Sequence, residues 1–361
     1  NVIQFLNKGS SVAVDYRDGA LGSNAVSVLR ARLDPWLAEQ AEAAGAMLLC
    51  GVKVDRLLVE RTVGGPQVIG VEAGDETLRA HWVVAADGVN SFLARSAGFR
   101  PDPRPEQLAV GVKSVIALEA KVIEERFGVT RGEGAAFAVV GDASQGIGGG
   151  GFMYTNRESV SIGVVLRLDD LVSKGLTSAA VHDHFLLHPL VAPYLEGGEL
   201  LEYGCHLVAE GGLAMVGELG LPGLVVVGDA AGLTLNTGLT VRGMDLAMAS
   251  GEAAADAIAP ALAAAPTQET GAAVAADYRK RLFESFAGQD MRTYAKAPAF
   301  LERDRLYGTY GELAAAVLRD VFLHDRRPRR HLLKVARQAL SSSKIGLGQV
   351  AGDAWAGVRA L

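Results

Sequence analysis

Leu224-Val225-Val226-Val227 runs directly into Gly228-Asp229-Ala230-Ala231-Gly232. Consecutive apolar residues bounded by a glycine turn read as a strand buried on both faces, the kind found in parallel sheets. Ligands of such sheets sit beyond the carboxyl ends of the strands. A carboxylate at that point can accept hydrogen bonds from sugar or polyol hydroxyls, and its small neighbours let the backbone approach a phosphate. A capping Asp in a tight turn would explain the same residues without a ligand. The segment Trp82-Val83-Val84-Ala85-Ala86-Asp87-Gly88-Val89-Asn90-Ser91 has the same form. Two such strand ends in one chain favour the ligand reading over coincidence.

Downstream, Asn236-Thr237-Gly238-Leu239-Thr240-Val241-Arg242-Gly243-Met244-Asp245 leads into a small-residue helix, Leu246–Glu252. A helix start carries unsatisfied N–H groups and partial positive charge, which suit a pyrophosphate. Tight helix packing through Ala and Gly is the competing account. Arg30 precedes the first expected helix, where a planar cation can reach a pyrophosphate or simply stay solvated.

The remaining chain orders these pieces. Val2–Leu6 and Ser11–Tyr16 read as strands, the second with Val12, Val14 and Tyr16 on one side of a half-open sheet. Residues 29–45 read as a helix with one apolar face, with Asp34 and Pro35 near its start and Gly45 ending it. A strand is expected at Ala46–Val54, then a meander over 55–60, 67–73 and 77–85, turning at Gly64-Gly65-Pro66 and Gly74-Asp75. Three prolines in 100–107 mark a boundary, 108–167 is strand-rich, and 177–196 is helical. A second boundary falls near Leu221-Pro222-Gly223, followed by strand, loop and helix over 224–260. Alanine-rich 261–276 reads as a linker or weak helix, and the remainder as helical. A cofactor domain interrupted by a second domain explains this order better than two successive domains.

Composition narrows the partners. A chain of 361 residues allows two domains and a small third region. Net charge −6 and pI about 5.7 argue against broad nucleic-acid binding. Two cysteines, Cys50 and Cys205, cannot supply a four-cysteine cluster or structural zinc site, and fit a reduced cytoplasmic protein. No run of about 18 apolar residues is present. Of His182, His184 and His188, only the last two share a helix face, so a surface helix ending at Pro189 outweighs metal binding. Arg326, Arg327, Arg329, Arg330, His331, Lys334 and Arg337, with Leu332, Leu333, Val335 and Leu340 beside them, read equally as a solvated helix face or as a surface for anionic lipid or an acidic partner.

Together the motifs resemble the FAD-dependent electron-transfer-flavoprotein–quinone oxidoreductases, in particular the FixC-like branch. Val28–Leu37 looks like that family's Arg-containing helix, Ala85–Ser91 like its Asp-Gly motif, and Gly228–Gly232 through Thr240–Asp245 like its second FAD motif. Gly148-Gly149-Gly150-Gly151-Phe152-Met153-Tyr154-Thr155-Asn156 and Asp290-Met291-Arg292-Thr293-Tyr294-Ala295-Lys296-Ala297-Pro298-Ala299-Phe300 are its more specific signatures. The likeness covers essentially the whole chain. One departure stands out. The family opens with a strand–GxGxxG–helix unit, for which Gly146–Gly151 is no substitute, because it lies between strands.

The resemblance implies an α/β fold: a Rossmann-like FAD-binding domain (22–99 and 222–260, without the N-terminal β-α-β) interrupted by a strand-rich α+β quinone domain (1–21 and 100–221), with a C-terminal helical region (261–361). It implies electron transfer from an electron-transfer flavoprotein, with a ferredoxin-like iron–sulfur subunit, to a quinone, in the cytoplasm or peripherally on the inner face of the membrane. Arg30, Val54, Ala86, Asp87, Gly88, Gly228, Asp229, Gly238, Leu239, Thr240, Val241 and Arg242 would hold FAD, and Gly149, Gly150 and Phe152 would face the quinone. The start of the 240–251 helix would stabilise the anionic reduced flavin. Two alternatives stand beside it. One is another flavoenzyme of this fold, such as an isoprenoid reductase or aromatic hydroxylase. The other is a docking fragment without flavin.

Overall fold

Strand Ser159–Arg167 (SVSIGVVLR) is rich in β-branched residues and buried along nearly its whole length, which requires partners on both edges and cover on its faces. In the computed structural model it has them. It lies inside a seven-stranded sheet ordered Glu199–Ala209, Leu108–Ala117, Ser159–Arg167, Gly149–Thr155, Ala136–Gly141, Val2–Asn7, Ser10–Asp15. Val2–Asn7 pairs parallel with Ala136–Gly141 and antiparallel with Ser10–Asp15. The structure describes residues 1–18, 26–238, 240–263, 266–343 and 345–361. These divide into two units, 1–44 with 109–206 and 299–359, and 45–108 with 207–298 and 360–361.

The first unit is built on the seven-stranded sheet. Helices Ala120–Phe127 and Ser178–Leu186 bury Ile123, Phe127, Val181 and Phe185. Thr177 caps the latter by accepting from Ala180 N at 3.2 Å. As expected, both N-terminal stretches form strands; Val14 and Tyr16 are exposed. Helices Thr309–Phe322, Leu332–Ser342 and Leu347–Ala360 complete the unit. Asp353 joins them to the preceding turn, pairing with Arg305 at 2.9 Å and Arg303 at 3.1 Å and accepting from Tyr310 Oη at 2.6 Å.

Helix Arg30–Ala43 forms where the periodicity places it, and Gly45 at φ +97° ends it. Two details differ. Pro35 lies well inside the helix, and no residue of the apolar face is buried. Periodicity identifies the residues that share a face, not what covers them. The expected strand at Ala46–Val54 is also absent, and Met47, Leu48, Leu49 and Val52 are exposed. An extended segment becomes a strand only where a neighbour takes its N–H and C=O groups, and no described strand pairs with this one.

The second unit holds the paired strand ends. Leu224–Val226 runs parallel to Val83–Ala85, in register Leu224 to Val83 and Val226 to Ala85. Gly220–Leu221 adds an antiparallel edge. Leu224, Val225, Val226 and Val227 are all buried, each worth roughly 1.5–3 kcal/mol of transfer free energy. Val84 is half exposed, so the expected burial on both faces holds for the later strand and not for the earlier one. The meander forms as Arg56–Thr62, Gly65–Ala73 and Glu76–Arg79, while Val83–Ala85 leaves it for the other sheet. Helix Met244–Ile258 buries Leu246, Ala249, Ser250, Ala253, Ala254, Ala257 and Ile258, one face at helical spacing. Helix Gln268–Glu284 begins inside the stretch that read as a linker or weak helix, and Thr267 caps it by accepting from Thr270 N at 3.2 Å.

Candidate functional site

Where the two parallel strands of the second unit end, their turns converge. After Leu224–Val226, Gly228–Ala231 makes a single tight turn closed by Gly232 at φ +78°. The turn is tied to helix Met244–Ile258 by Ser250, whose Oγ accepts from Gly228 N at 2.9 Å and donates to Ala247 O at 2.7 Å. The approach is close enough that a Cβ on Gly228 would stand 3.2 Å from Ala247 Cβ. Beneath the strand, Tyr278 Oη donates to Val226 O at 2.9 Å. Burial pushes the Tyr278 phenol up, against its contact with Ser250, so it stays a neutral donor.

After Val83–Ala85, Asp87 Oδ2 accepts from Leu93 N at 2.9 Å and so holds the start of helix Phe92–Ser96. Asp87 Oδ1 and Ser91 Oγ are buried without a hydrogen-bond partner among the described residues. Arg100 links this turn to the other. Its guanidinium donates to Ala230 O, and to Met215 O at 3.0 Å. Burial pulls the Arg100 guanidinium down from its usual value, and the Asp87 charge opposes this. A cavity of about 130 Å³ opens here, lined by Ser91, Arg100, Met215, Asp229 and Ala230 among others.

The loop before helix Met244–Ile258 is held by its own side chains. Asn236 Oδ1 accepts from Gly238 N at 2.7 Å, Asn236 Nδ2 donates to Glu210 at 3.0 Å, and Thr237 Oγ1 accepts from Thr240 N at 3.1 Å. Gly238 takes φ +77°, which a side chain would disfavour. Leu239 lies outside the described residues. The first intrahelical bond runs from Ala247 N to Gly243 O at 2.8 Å, so the N–H groups before Ala247 stand outside the helix's own ladder. Gly243 Cα borders Asp229: a Cβ there would lie 3.7 Å from Asp229 Oδ1.

Of the expected site residues, Ala86, Asp87, Gly88, Gly228, Asp229, Gly238, Thr240, Val241 and Arg242 all fall in the second unit, in or next to these turns. Val54 also falls there and packs against the apolar core. Arg242 does not present a free guanidinium. It pairs with Asp245 at 2.6 Å and Asp290 at 2.6 Å. Burial pulls its pKa down, but the hydrogen bonds it donates to Asp290 and Asp245 outweigh this and raise it. Arg30 lies in the first unit, at the head of an exposed helix, bound to Asp34 at 2.5 and 2.7 Å. Ser91, Arg100, Ser250 and Tyr278 were not among the expected site residues, although Ser91 closes the Ala85–Ser91 motif and Ser250 lies in the Leu246–Glu252 stretch. Asp290, inside the 290–300 motif, holds Arg242.

In the first unit, Phe152 and Tyr154 project from the same face of strand Gly149–Thr155 and stack at 5.2 Å and 21°. Gly163 lies opposite Phe152, and a Cβ there would meet that ring at 2.6 Å. Packing alone demands glycine at 150 and 151, since a Cβ would come within 2.6 Å of Val139 O and 2.7 Å of the Phe185 ring. Gly149 takes φ +126° against Val165 O. The histidines are not a surface cluster. His182 is buried on the face that helix Ser178–Leu186 turns inward, and His188, just beyond the helix, is buried as well. His182 Nε2 contacts Ser114 Oγ at 2.8 Å, His184 Nε2 meets Asp142 at 2.7 Å, and His188 Nε2 reaches Asn7 O at 3.1 Å.

Comparison with known proteins gives this arrangement its class. An FAD binding domain matches residues 3–132, and the ETF-QO/FixC family C-terminal domain matches 297–361. YdiS of Escherichia coli (strain K12), named a probable electron transfer flavoprotein-quinone oxidoreductase, is 42% identical over 362 residues, 99% of this chain and 82% of YdiS. Protein FixC of the same strain is 40% identical over 363 residues, with the same coverage. Among solved structures, a geranylgeranyl bacteriochlorophyll reductase-like protein from Thermoplasma acidophilum shares the fold with TM-score 0.60 and 20% identity, covering 90% of this chain and 74% of its own. The myxobacterial FAD-dependent halogenase CndH does so with TM-score 0.55 and 17% identity, covering 99% and 74%. The fold and these matches define an FAD-dependent oxidoreductase with an α/β cofactor domain and C-terminal helices. Within that class the chain belongs to the ETF-QO/FixC family.

The residues of the second unit fit FAD. Two orphaned buried polar atoms, Asp87 Oδ1 and Ser91 Oγ, need partners of the kind that hydroxyl groups supply. Gly88 at φ +77° and Gly238 at φ +77° leave backbone uncovered where a phosphate or ring could approach.

Proposed function

We propose that the chain carries electrons from an electron-transfer flavoprotein, together with a ferredoxin-like iron–sulfur subunit, to a quinone, working peripherally on the inner face of the membrane. The observation that supports this most strongly is the identity to YdiS and FixC over 99% of the chain. The two cysteines, both exposed and unpaired, leave any cluster to a partner protein.

In this reading FAD is held by Asp87, Gly88, Gly228, Asp229 and the 238–242 loop, and when bound it takes up and gives up the electrons. Asp229 and Asp87 accept from its hydroxyls. The helix start at Met244 favours negative charge nearby through its N–H groups and dipole. Arg242, clamped by Asp245 and Asp290, holds the loop in place without adding a free cation. The quinone lies against the Gly149–Phe152 side of the sheet, where the Phe152–Tyr154 stack offers a flat apolar surface.

The test assays the flavin-loaded, full-length protein with reduced electron-transfer flavoprotein and a short-chain quinone, and in parallel with isoprenoid substrates. Quinone reduction dependent on the flavoprotein donor is the expected result. Reduction of an isoprenoid double bond without quinone activity would overturn the reading.

A further inference from the structure

The chain is acidic overall, at net charge −6, yet one segment reverses the sign. Residues 319–337 hold seven Arg or Lys against two Asp. Every residue from 321 to 334 is exposed. The segment is the end of helix Thr309–Phe322, a loop, and the start of helix Leu332–Ser342.

Part of this charge builds the loop. Arg329 donates to Val321 O at 2.6 Å and Asp320 O at 3.2 Å, at the negative end of the first helix. Arg330 pairs with Asp320 and Gln338. These contacts draw the two stems of the loop together, so Phe322-Leu323 on one stem and Leu332-Leu333 on the other flank a single basic tip. Exposure is 71% and 53% for the first pair and 62% for each residue of the second. The rest of the charge is not used inside the fold. Arg326, Lys334 and Arg337 make no ion pair with a described residue, and Arg327 reaches only Asp325, at 3.2 Å with its side chain 85% exposed. Val335 alone on the second helix is turned fully inward.

Cations interleaved with exposed large apolar side chains match the boundary of an anionic bilayer, with guanidinium and ammonium heads at the phosphates and Leu and Phe below them. With seven Arg or Lys against two Asp in a chain of net charge −6, the segment is attracted to an anionic surface that the rest of the chain, taken in sum, is not. We infer that the 321–337 loop and its stems dock the protein on an anionic lipid surface. The choice of a membrane partner rests on the quinone reading, since a quinone is carried in lipid. The charge and exposure do not rest on it.

Co-sedimentation of the full-length protein with phosphatidylglycerol-containing and with pure phosphatidylcholine vesicles tests this. Binding is expected only to the first and is expected to weaken with salt. The variant Arg326→Gln/Arg327→Gln/Lys334→Gln/Arg337→Gln should bind about five-fold more weakly for each cation removed, several hundred-fold in all. Leu332→Ser/Leu333→Ser should weaken binding about ten-fold or more while keeping the charge. Both variants should melt like the parent and reduce a soluble short-chain quinone at the parent rate. No binding to phosphatidylglycerol vesicles at low salt, or undiminished binding by the quadruple variant, would overturn the inference. So would a quadruple variant that keeps vesicle binding but loses reduction by the electron-transfer flavoprotein, which would assign the surface to an acidic protein. If vesicle binding behaves as expected and no quinone is reduced, the docking surface stands and the quinone reading falls.

Discussion

Removing one hydroxyl, at Ser250, should loosen the cofactor turn out of proportion to its size. Ser250 Oγ is the acceptor for Gly228 N at 2.9 Å, and Ser250 is fully buried. In Ser250→Ala the Gly228 N–H stays buried with no partner, because the apolar atoms of Ala247 and its neighbours fill the space. An unsatisfied buried amide costs about 1–3 kcal/mol. In a unit of about 150–250 residues, each kcal/mol shifts Tm by about 2–4 °C, so the transition of the second unit should fall by about 2–12 °C. Gly228 sits at φ +58° in the turn that bears Asp229, so FAD retention should weaken with stability. Differential scanning calorimetry and FAD release on dilution measure the two effects. Ser250→Thr keeps the oxygen and should recover part of the FAD affinity. If Ser250→Ala melts and holds FAD like the parent, the turn is fixed by something other than this hydrogen bond.

Three more outcomes follow from particular contacts. Gly238→Glu adds a side chain at φ +77° and a negative charge to the loop before the Met244 helix. It should lower FAD occupancy or make the flavin midpoint potential more negative in an anaerobic dye titration; full occupancy with an unchanged potential would contradict the proposed place of FAD. Gly163→Val drives a Cβ to 2.2 Å from Val112 O and 2.6 Å from the Phe152 ring, so it should cost about 1–3 kcal/mol or more and raise the KM for quinone. An unaltered melt and KM would sink it. The hydrogen bond from Arg305 holds the Asp353 carboxyl below its ordinary value, with Tyr310 and Arg303 assisting. A depressed folded pKa gives stability that is complete above the unfolded value and is lost as pH falls through it. The parent should therefore lose stability below about pH 4, and Asp353→Asn, destabilised at pH 7, should converge on it in acid. A gap in Tm that does not narrow in acid would refute the assignment.

The legible part of this fold was the part written in consecutive residues. Leu224–Val227 and Val83–Ala85 each end in a small-residue turn with an Asp and read as strands from their own residues, and the structure pairs them in parallel. The two N-terminal strands were legible for the same reason, while the exposure of Val14 and Tyr16 was not. What the residues hid depends on contacts distant in sequence. Arg100 donates to residues more than a hundred positions away, and nothing near it signals that its guanidinium goes to Ala230 O and Met215 O. Arg242 read as an FAD-loop residue, and its pairing with Asp290 was hidden because the two lie far apart along the chain. Residues 46–54 carry strand-like side chains, but strand formation needs an edge to pair with, which local composition does not report. His182 and His188 read as surface residues because polar side chains usually are; their burial depends on the sheet beneath them.

The central claim is that this chain passes electrons between a donor flavoprotein and a quinone through bound FAD. The most direct measurement is the visible spectrum of the full-length protein under anaerobic conditions, before and after adding reduced electron-transfer flavoprotein, and again after adding a short-chain quinone. The account predicts a yellow protein whose flavin bands bleach with the donor and return with the quinone. A colourless protein that takes up no added FAD, or flavin bands that bleach with the donor and stay bleached in the presence of quinone, would contradict it.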